Sequence, residues 1–163
     1  MKVSLVVILF SLISLAGMSQ TYSDSTSLSP LIKLIAEKIE RLTTNDSIYW
    51  NNEVQYRKQV RLLKERAKIY ELLLLIEHSS PYVRINAFDL LLTSAYPYFV
   101  NVLEKHIEDR DSIIYHEDGC LYIQTTVAEQ MAELVSSNNN WVGKVILDDT
   151  EDKKLFEIID KIW

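Results

Sequence analysis

The chain has 163 residues, 48% hydrophobic and 25% charged, with a net charge of −6, three Gly, three Pro and one Cys. The hydrophobic share excludes a disordered chain, a lone Cys excludes a disulfide framework, and the scarcity of Gly and Pro excludes collagen-like and linker proteins. Outside the first twenty residues only Gly119 and Gly143 remain, too few for the positive-φ turns of a sandwich or barrel, so an all-α fold is expected.

Lys2 precedes an apolar run from Val3 to Ala16, which leads into Gly17, Met18, Ser19 and Gln20. That order predicts a secretory signal peptide over 1–19, cut after Ala16 or after Ser19. The run is shorter than the roughly 20 residues that span a bilayer, so no stable membrane span is expected once it is removed. The expected destination is the periplasm or the medium. Residues 20–29 form a polar lead, and 30–163 form one domain with enough chain for a real core.

Ser29 and Pro30 start the first helix, in which Leu31, Leu34, Ile35, Ile39 and Leu42 recur at helical spacing. A second helical stretch runs from about 52 to 77, broken at most once, with Tyr56, Val60, Leu63, Ala67, Tyr70 and Leu74 as its apolar stripe. Arg57, Arg61, Lys64 and Lys68 repeat the same steps one residue later, so a basic stripe lies beside the apolar one. Glu77 to Pro81 interrupt the pattern, and Val83, Ala87, Leu90 and Leu91 restart it on a third helix reaching about Ala95. A fourth helix is expected from Pro97 to about Asp109, and a polar loop from Arg110 to Cys120. Thr125 or Thr126 then caps a fifth helix carrying Val127, Met131, Leu134 and Val135. Residues 141–147 are expected to be extended. A last helix over 150–163 turns Leu155, Phe156, Ile159 and Ile162 inward.

Val83, Ala87 and Leu90 are repeated in spacing by Val127, Met131 and Leu134, 44 residues later, a period that falls in the range of HEAT and armadillo repeats. The stretch from Ser80 through Pro81, Val83, Arg84, Ala87 and Leu90 resembles the second helix of a HEAT repeat, with its turn, Pro, Val-Arg pair, small residue and Leu. The resemblance implies a short array of helical hairpins, of the right-handed α-α superhelix type, with terminal helices as caps. In such a unit Ala87 lets paired helices approach, Val83 and Leu90 fill the seam, and Arg84 bonds across the turn between repeats. Over about 50–137 the chain also resembles small exported HEAT-like proteins of Bacteroidetes-type bacteria. That likeness implies fold and export, and carries over no catalytic residue.

Asp111, His116 and Cys120 gather oxygen, nitrogen and sulfur donors in one segment and are the candidates for a metal site, with His106 as a further ligand if the fold brings it near. His and Cys at this spacing match no paired-ligand motif, so no cofactor is expected. Phosphate loops, dinucleotide fingerprints, nucleophile elbows and His-Glu-x-x-His are absent from the sequence. Arg57, Arg61, Lys64 and Lys68 are the candidates for docking an acidic partner. Export and net negative charge speak against nucleic acid, and a solvated face, or internal pairing with acidic residues such as Glu104, Glu108, Asp148 and Asp149, is the simpler fate of the stripe. The expectation is an exported, non-enzymatic helical domain that contacts another protein. The alternatives are a metal-binding or hydrolase-type protein centred on Asp111, His116 and Cys120, and an immunity or inhibitor protein.

Overall fold

The computed structural model describes residues 27–44, 46–117, 121–137, 145 and 147–163. Helix α1 (Pro30–Thr43) starts as expected, with Ser29 extended and Pro30 in the first turn, where its missing N–H costs nothing. Its inward face differs from expectation: Ile32, Ile35, Ala36 and Ile39 are buried, whereas Leu31 and Leu34 are exposed. Both sets fit helical spacing. The stripe that turns inward carries Ala36, whose small side chain lets α1 lie close to α2 (Asp46–Arg66) and α4 (Pro81–Thr93).

The second helical stretch breaks once, after Arg66, into α2 and α3 (Ile69–Leu75). Lys68 turns extended at the break, and the buried carboxylate of Glu71 fastens it by accepting the backbone N–H of Lys68 at 3.0 Å. The same carboxylate accepts the N–H of Ser29 at 3.1 Å, so it also pins the entry to α1. Burial pushes the Glu71 carboxyl up, but the hydrogen bonds from Ser29 and Lys68 outweigh it and hold the group below its ordinary value.

Helix α4 is apolar around nearly its whole circumference, the pattern of a helix enclosed by others. Val83, Ala87, Phe88, Leu90, Leu91 and Leu92 are all buried. The helix touches α1, α3, α5 (Phe99–Lys105), α6 (Val127–Ser137) and strand β1 (Ser112–Glu117), which makes it the axis of the core. It ends in a Schellman turn, in which the N–H of Ala95 donates to Leu92 and that of Tyr96 to Leu91, both at 3.0 Å. Such a turn needs one left-handed residue, and Ala95 takes that role at φ 55° where glycine is the usual choice. Helix α5 is shorter than the span from Pro97 to Asp109: the chain leaves the helix at His106, after burying Phe99, Val100 and Leu103.

The segment expected as a polar loop is instead one arm of a β-hairpin, so the all-α expectation is corrected to a multi-helix bundle with a small antiparallel sheet. β1 pairs with β2 (Leu121–Thr126), Ser112 opposite Thr126 and Glu117 opposite Leu121. The cause lies in composition: β-branched and aromatic residues over 113–115 and 122–126 flank Asp118-Gly119, a favoured hairpin dipeptide. The outer edge of β1 is closed from α4. There the Tyr82 hydroxyl accepts the N–H of Ile114 and donates to its carbonyl, each at 3.0 Å.

Thr126 caps α6 as expected. Its hydroxyl accepts the Glu129 N–H at 3.3 Å, and the Glu129 carboxylate accepts the Thr126 N–H at 2.8 Å, a reciprocal capping box. Val127, Ala128, Met131, Ala132 and Val135 face the core. The last helix, α7 (Asp149–Ile162), is capped by Asp148 with Glu151 in the same manner. It buries Leu155, Ile158 and Ile162, while Phe156, expected inside, is 64% exposed. The segments expected as a signal peptide (1–19) and most of the extended run 141–147 lie outside the described residues.

Candidate functional site

Three chain segments meet at Arg84, whose side chain is 8% exposed. Val83, Ala87 and Leu90 fix the rotation of α4, and that rotation sends Arg84 back over the turn before Pro81. Nη1 donates to the carbonyls of His78 at 2.7 Å and Ser79 at 3.1 Å. Nη2 donates to Asp109 Oδ1 at 3.1 Å and to Asp111 Oδ2 at 2.5 Å. Nε lies 2.9 Å from Asp109 Oδ2, at an angle too bent for a hydrogen bond, and so acts there as an ion-pair charge. Arg84 thus bonds across the turn inside the α3–α4 hairpin, not across a turn between successive hairpins. It is joined by two carboxylates that the expectation did not include.

The cluster continues away from Arg84. His106, buried at the end of α5, places Nδ1 3.6 Å from Asp109 Oδ2 and Nε2 3.4 Å from Glu77 Oε1. Lys105 Nζ closes the row on Glu77 Oε1 at 2.5 Å. The Lys105 hydrogen bond, with help from the neighbouring His106, holds the Glu77 carboxyl below its ordinary value. Lys105, Glu77, His106, Asp109, Arg84 and Asp111 thus form one continuous polar row, beside an open cleft of about 520 Å³. The fork of Arg84 ties Asp109 and Asp111 to the carbonyls of the turn before α4, an arrangement that positions the chain between α5 and β1.

Asp111, expected as a metal ligand, is committed to Arg84. The side chains of His116 and Cys120 lie outside what is described. Among the described residues no three His, Cys, Asp or Glu side chains converge on a point that could hold a metal ion. His106 is not drawn to Asp111 but packs between Glu77 and Asp109.

Arg57, Arg61 and Lys64 of the basic stripe occupy the exposed flank of α2, and Lys68 stands in the break beyond it. Arg57 pairs with Glu53 at 2.6 Å and Arg61 with Glu65 at 3.8 Å, each one turn away, with 77% and 70% of the arginine side chains exposed. Lys64 faces Asp89 of α4, whose carboxyl is pushed up by burial and only partly drawn back by Lys64. Lys68 Nζ sits 5.9 Å from the centre of the Tyr70 ring. Three of the four acidic residues named as internal partners are engaged elsewhere: Glu104 holds Lys154 at 2.7 Å, Glu108 faces Arg110, and Asp148 caps α7.

The sequence signal for Glu77 and His106 was slight, because each stands just past the end of a helical pattern and reads as a terminus residue. Among the described residues no helix is long and apolar enough to cross a membrane. Comparison with known proteins found no matching family model, no matching curated protein and no matching solved structure.

Proposed function

We propose that this chain is an exported, non-enzymatic helical domain of the HEAT-like kind, whose work is to hold another protein through the basic flank of α2. The observation that carries the reading is the state of Arg57 and Arg61. Both are largely exposed, and among the described residues both are tied only to acidic neighbours one turn away. Surface pairs of that type contribute about 0.2–1 kcal/mol, so a carboxylate from a partner can replace them at little cost.

The HEAT-like part of the reading is supported by the hairpin of α3 and α4. Pro81 opens the second helix, Val83, Ala87 and Leu90 face inward, and Arg84 holds the turn carbonyls. α4 packs on α6, as second helices of neighbouring units do, although the β-hairpin intervenes between α5 and α6. The test is a crosslinking pull-down from the native cell envelope with the wild-type chain and with a double charge reversal, Arg57→Glu with Arg61→Glu. The expected result is a partner enriched by wild type, released as salt is raised, and lost in the variant. A wild-type chain that enriches nothing, or a partner insensitive to both salt and charge reversal, overturns the docking reading. Stoichiometric metal in the same preparation overturns the non-enzymatic one and moves attention to His116 and Cys120.

A further inference from the structure

Two helix faces of this chain stand open to solvent, and each lacks what the other carries. On α2, Val54, Arg57, Lys58 and Arg61 recur at steps of three and four and share one face. Val54 is 79% exposed, Arg57 and Arg61 hold only Glu53 and Glu65, and Lys58 forms no ion pair among the described residues. This face has cations to spare and no aromatic ring.

On α7 the same spacing recurs as Phe156, Ile159, Asp160 and Trp163, with Asp152 and Asp149 one and two turns earlier on the same side. Phe156 and Trp163 are 64% and 70% exposed, and the half-buried Ile159 joins them to the edge of the core. Single surface apolar residues are ordinary, but here two large rings share one stripe. Asp149, Asp152 and Asp160 form no ion pair among the described residues. The first two suit the positive end of the helix dipole. Asp160 does not: it stands in the last turn, where the dipole disfavours an anion, and one turn after Glu157, a charge of the same sign. A cation from outside the helix would offset both effects.

A purely acidic partner would satisfy Arg57 and Arg61 but leave Phe156 and Trp163 in water, and a purely apolar one would strand the aspartates. The surface that fits the α7 face, cations beside an exposed aliphatic side chain, is the α2 face of this same chain. We propose that the α7 face of one molecule docks on the α2 face of a second copy. Asp152 and Asp160 then replace Glu53 and Glu65 as partners of Arg57 and Arg61, while the Phe156 and Trp163 rings lie against Val54 and the guanidinium planes. This rests on the reading of the α2 flank as a docking surface and names its occupant. The two faces differ, so the contact is heterologous and leads head to tail into short chains or a closed ring. Two single-helix faces bury less area than a standard interface, so association is weak and shows at high concentration.

The experiment is sedimentation velocity of the purified chain over a concentration series, at low and high salt. The weight-average mass should climb with concentration and fall back as salt is raised. Arg57→Glu with Arg61→Glu, and separately Asp152→Lys with Asp160→Lys, should each weaken association about tenfold. An equal mixture of the two variants should associate like wild type, because each face then meets a face of opposite charge. Phe156→Ala with Trp163→Ala should also weaken it about tenfold, with the urea midpoint unchanged because both side chains already lie in solvent. A wild-type chain that stays monomeric, association indifferent to either charge reversal, or a mixture no better than its parts overturns the second-copy assignment. A monomeric chain whose envelope partner is still lost on reversal of Arg57 and Arg61 overturns that assignment alone and gives the α2 flank to a foreign protein; a monomeric chain that also enriches no partner removes the docking reading with it.

Discussion

Arg84 is where a single side chain does most to define this molecule. Its guanidinium is nearly buried and serves two backbone carbonyls and two carboxylates, a geometry that a lysine ammonium cannot reproduce because it lacks the planar fork. Removing it leaves Asp109, whose side chain is 14% exposed, without its main counter-charge and two turn carbonyls without donors. Arg84→Ala should therefore lose about 3 kcal/mol, within the range for breaking a buried pair from one side. Arg84→Lys should lose roughly half as much, since charge remains but the fork does not. In urea denaturation, a midpoint for Arg84→Ala within error of wild type would show that the cluster is decorative. Adding Asp109→Asn to Arg84→Ala should restore part of the loss, because it removes the stranded charge; strict additivity of the two changes would deny their coupling.

At the scale of elements, the least secure attachment is the hairpin, whose meeting with α4 passes through Tyr82. One hydroxyl both donates to and accepts from Ile114, so Tyr82→Phe leaves a strand N–H and C=O without partners. The expected loss is about 1–2 kcal/mol. Amide hydrogen exchange should quicken at Ile114 far more than in α4; uniform quickening would mean that Tyr82 supports the core instead of the edge. The hairpin also shows what was readable beforehand. Helices announced themselves through caps and period: Pro30, Pro81 and Thr126 each begin a helix at or beside the anticipated residue. The strands were missed because Ile113 to Tyr115 is too short for a period, and its polar neighbours outweighed its β-branched content. On α1 and α7 the existence of the helix was legible but its rotation was not, since Leu31 with Leu34 competes with Ile32 with Ala36 for one inward face, and Phe156 competes with Ile158 on the other. Of the candidate sites, the basic stripe could be read from spacing, and Arg84 was singled out by the HEAT-like resemblance, whereas its carboxylate partners Asp109 and Asp111 could not be read, because only the fold brings them to it.

Taken as a whole, the molecule carries its pH dependence in carboxylates that pull in opposite directions. Glu71, Glu77 and Glu129 are all held below their ordinary value. For Glu71, burial works against hydrogen bonds from Ser29 and Lys68; for Glu77, the Lys105 hydrogen bond dominates; for Glu129, the Thr126 backbone hydrogen bond does. A group of this kind adds stability that is complete above its unfolded value of about 4.5 and disappears as pH falls through its lower folded value, because the unfolded chain takes up its proton first. Asp89 has the opposite sign. Burial raises it, so the folded chain takes up that proton first, and its ionised form is a cost at neutral pH that fades as pH drops through the raised value. The three glutamates outnumber it, so urea midpoints should be flat near neutrality and fall below about pH 4.5. Asp89→Asn should raise the midpoint at pH 7 and make the acid decline steeper, because the one opposing group is gone. Glu71→Gln should shift the curve the other way, lowering the neutral plateau and flattening the decline. Should the two variants bend the acid limb in the same direction, the assignment of opposite signs to these carboxylates fails, and with it the view that capping hydrogen bonds, not burial, govern the charge balance of this fold.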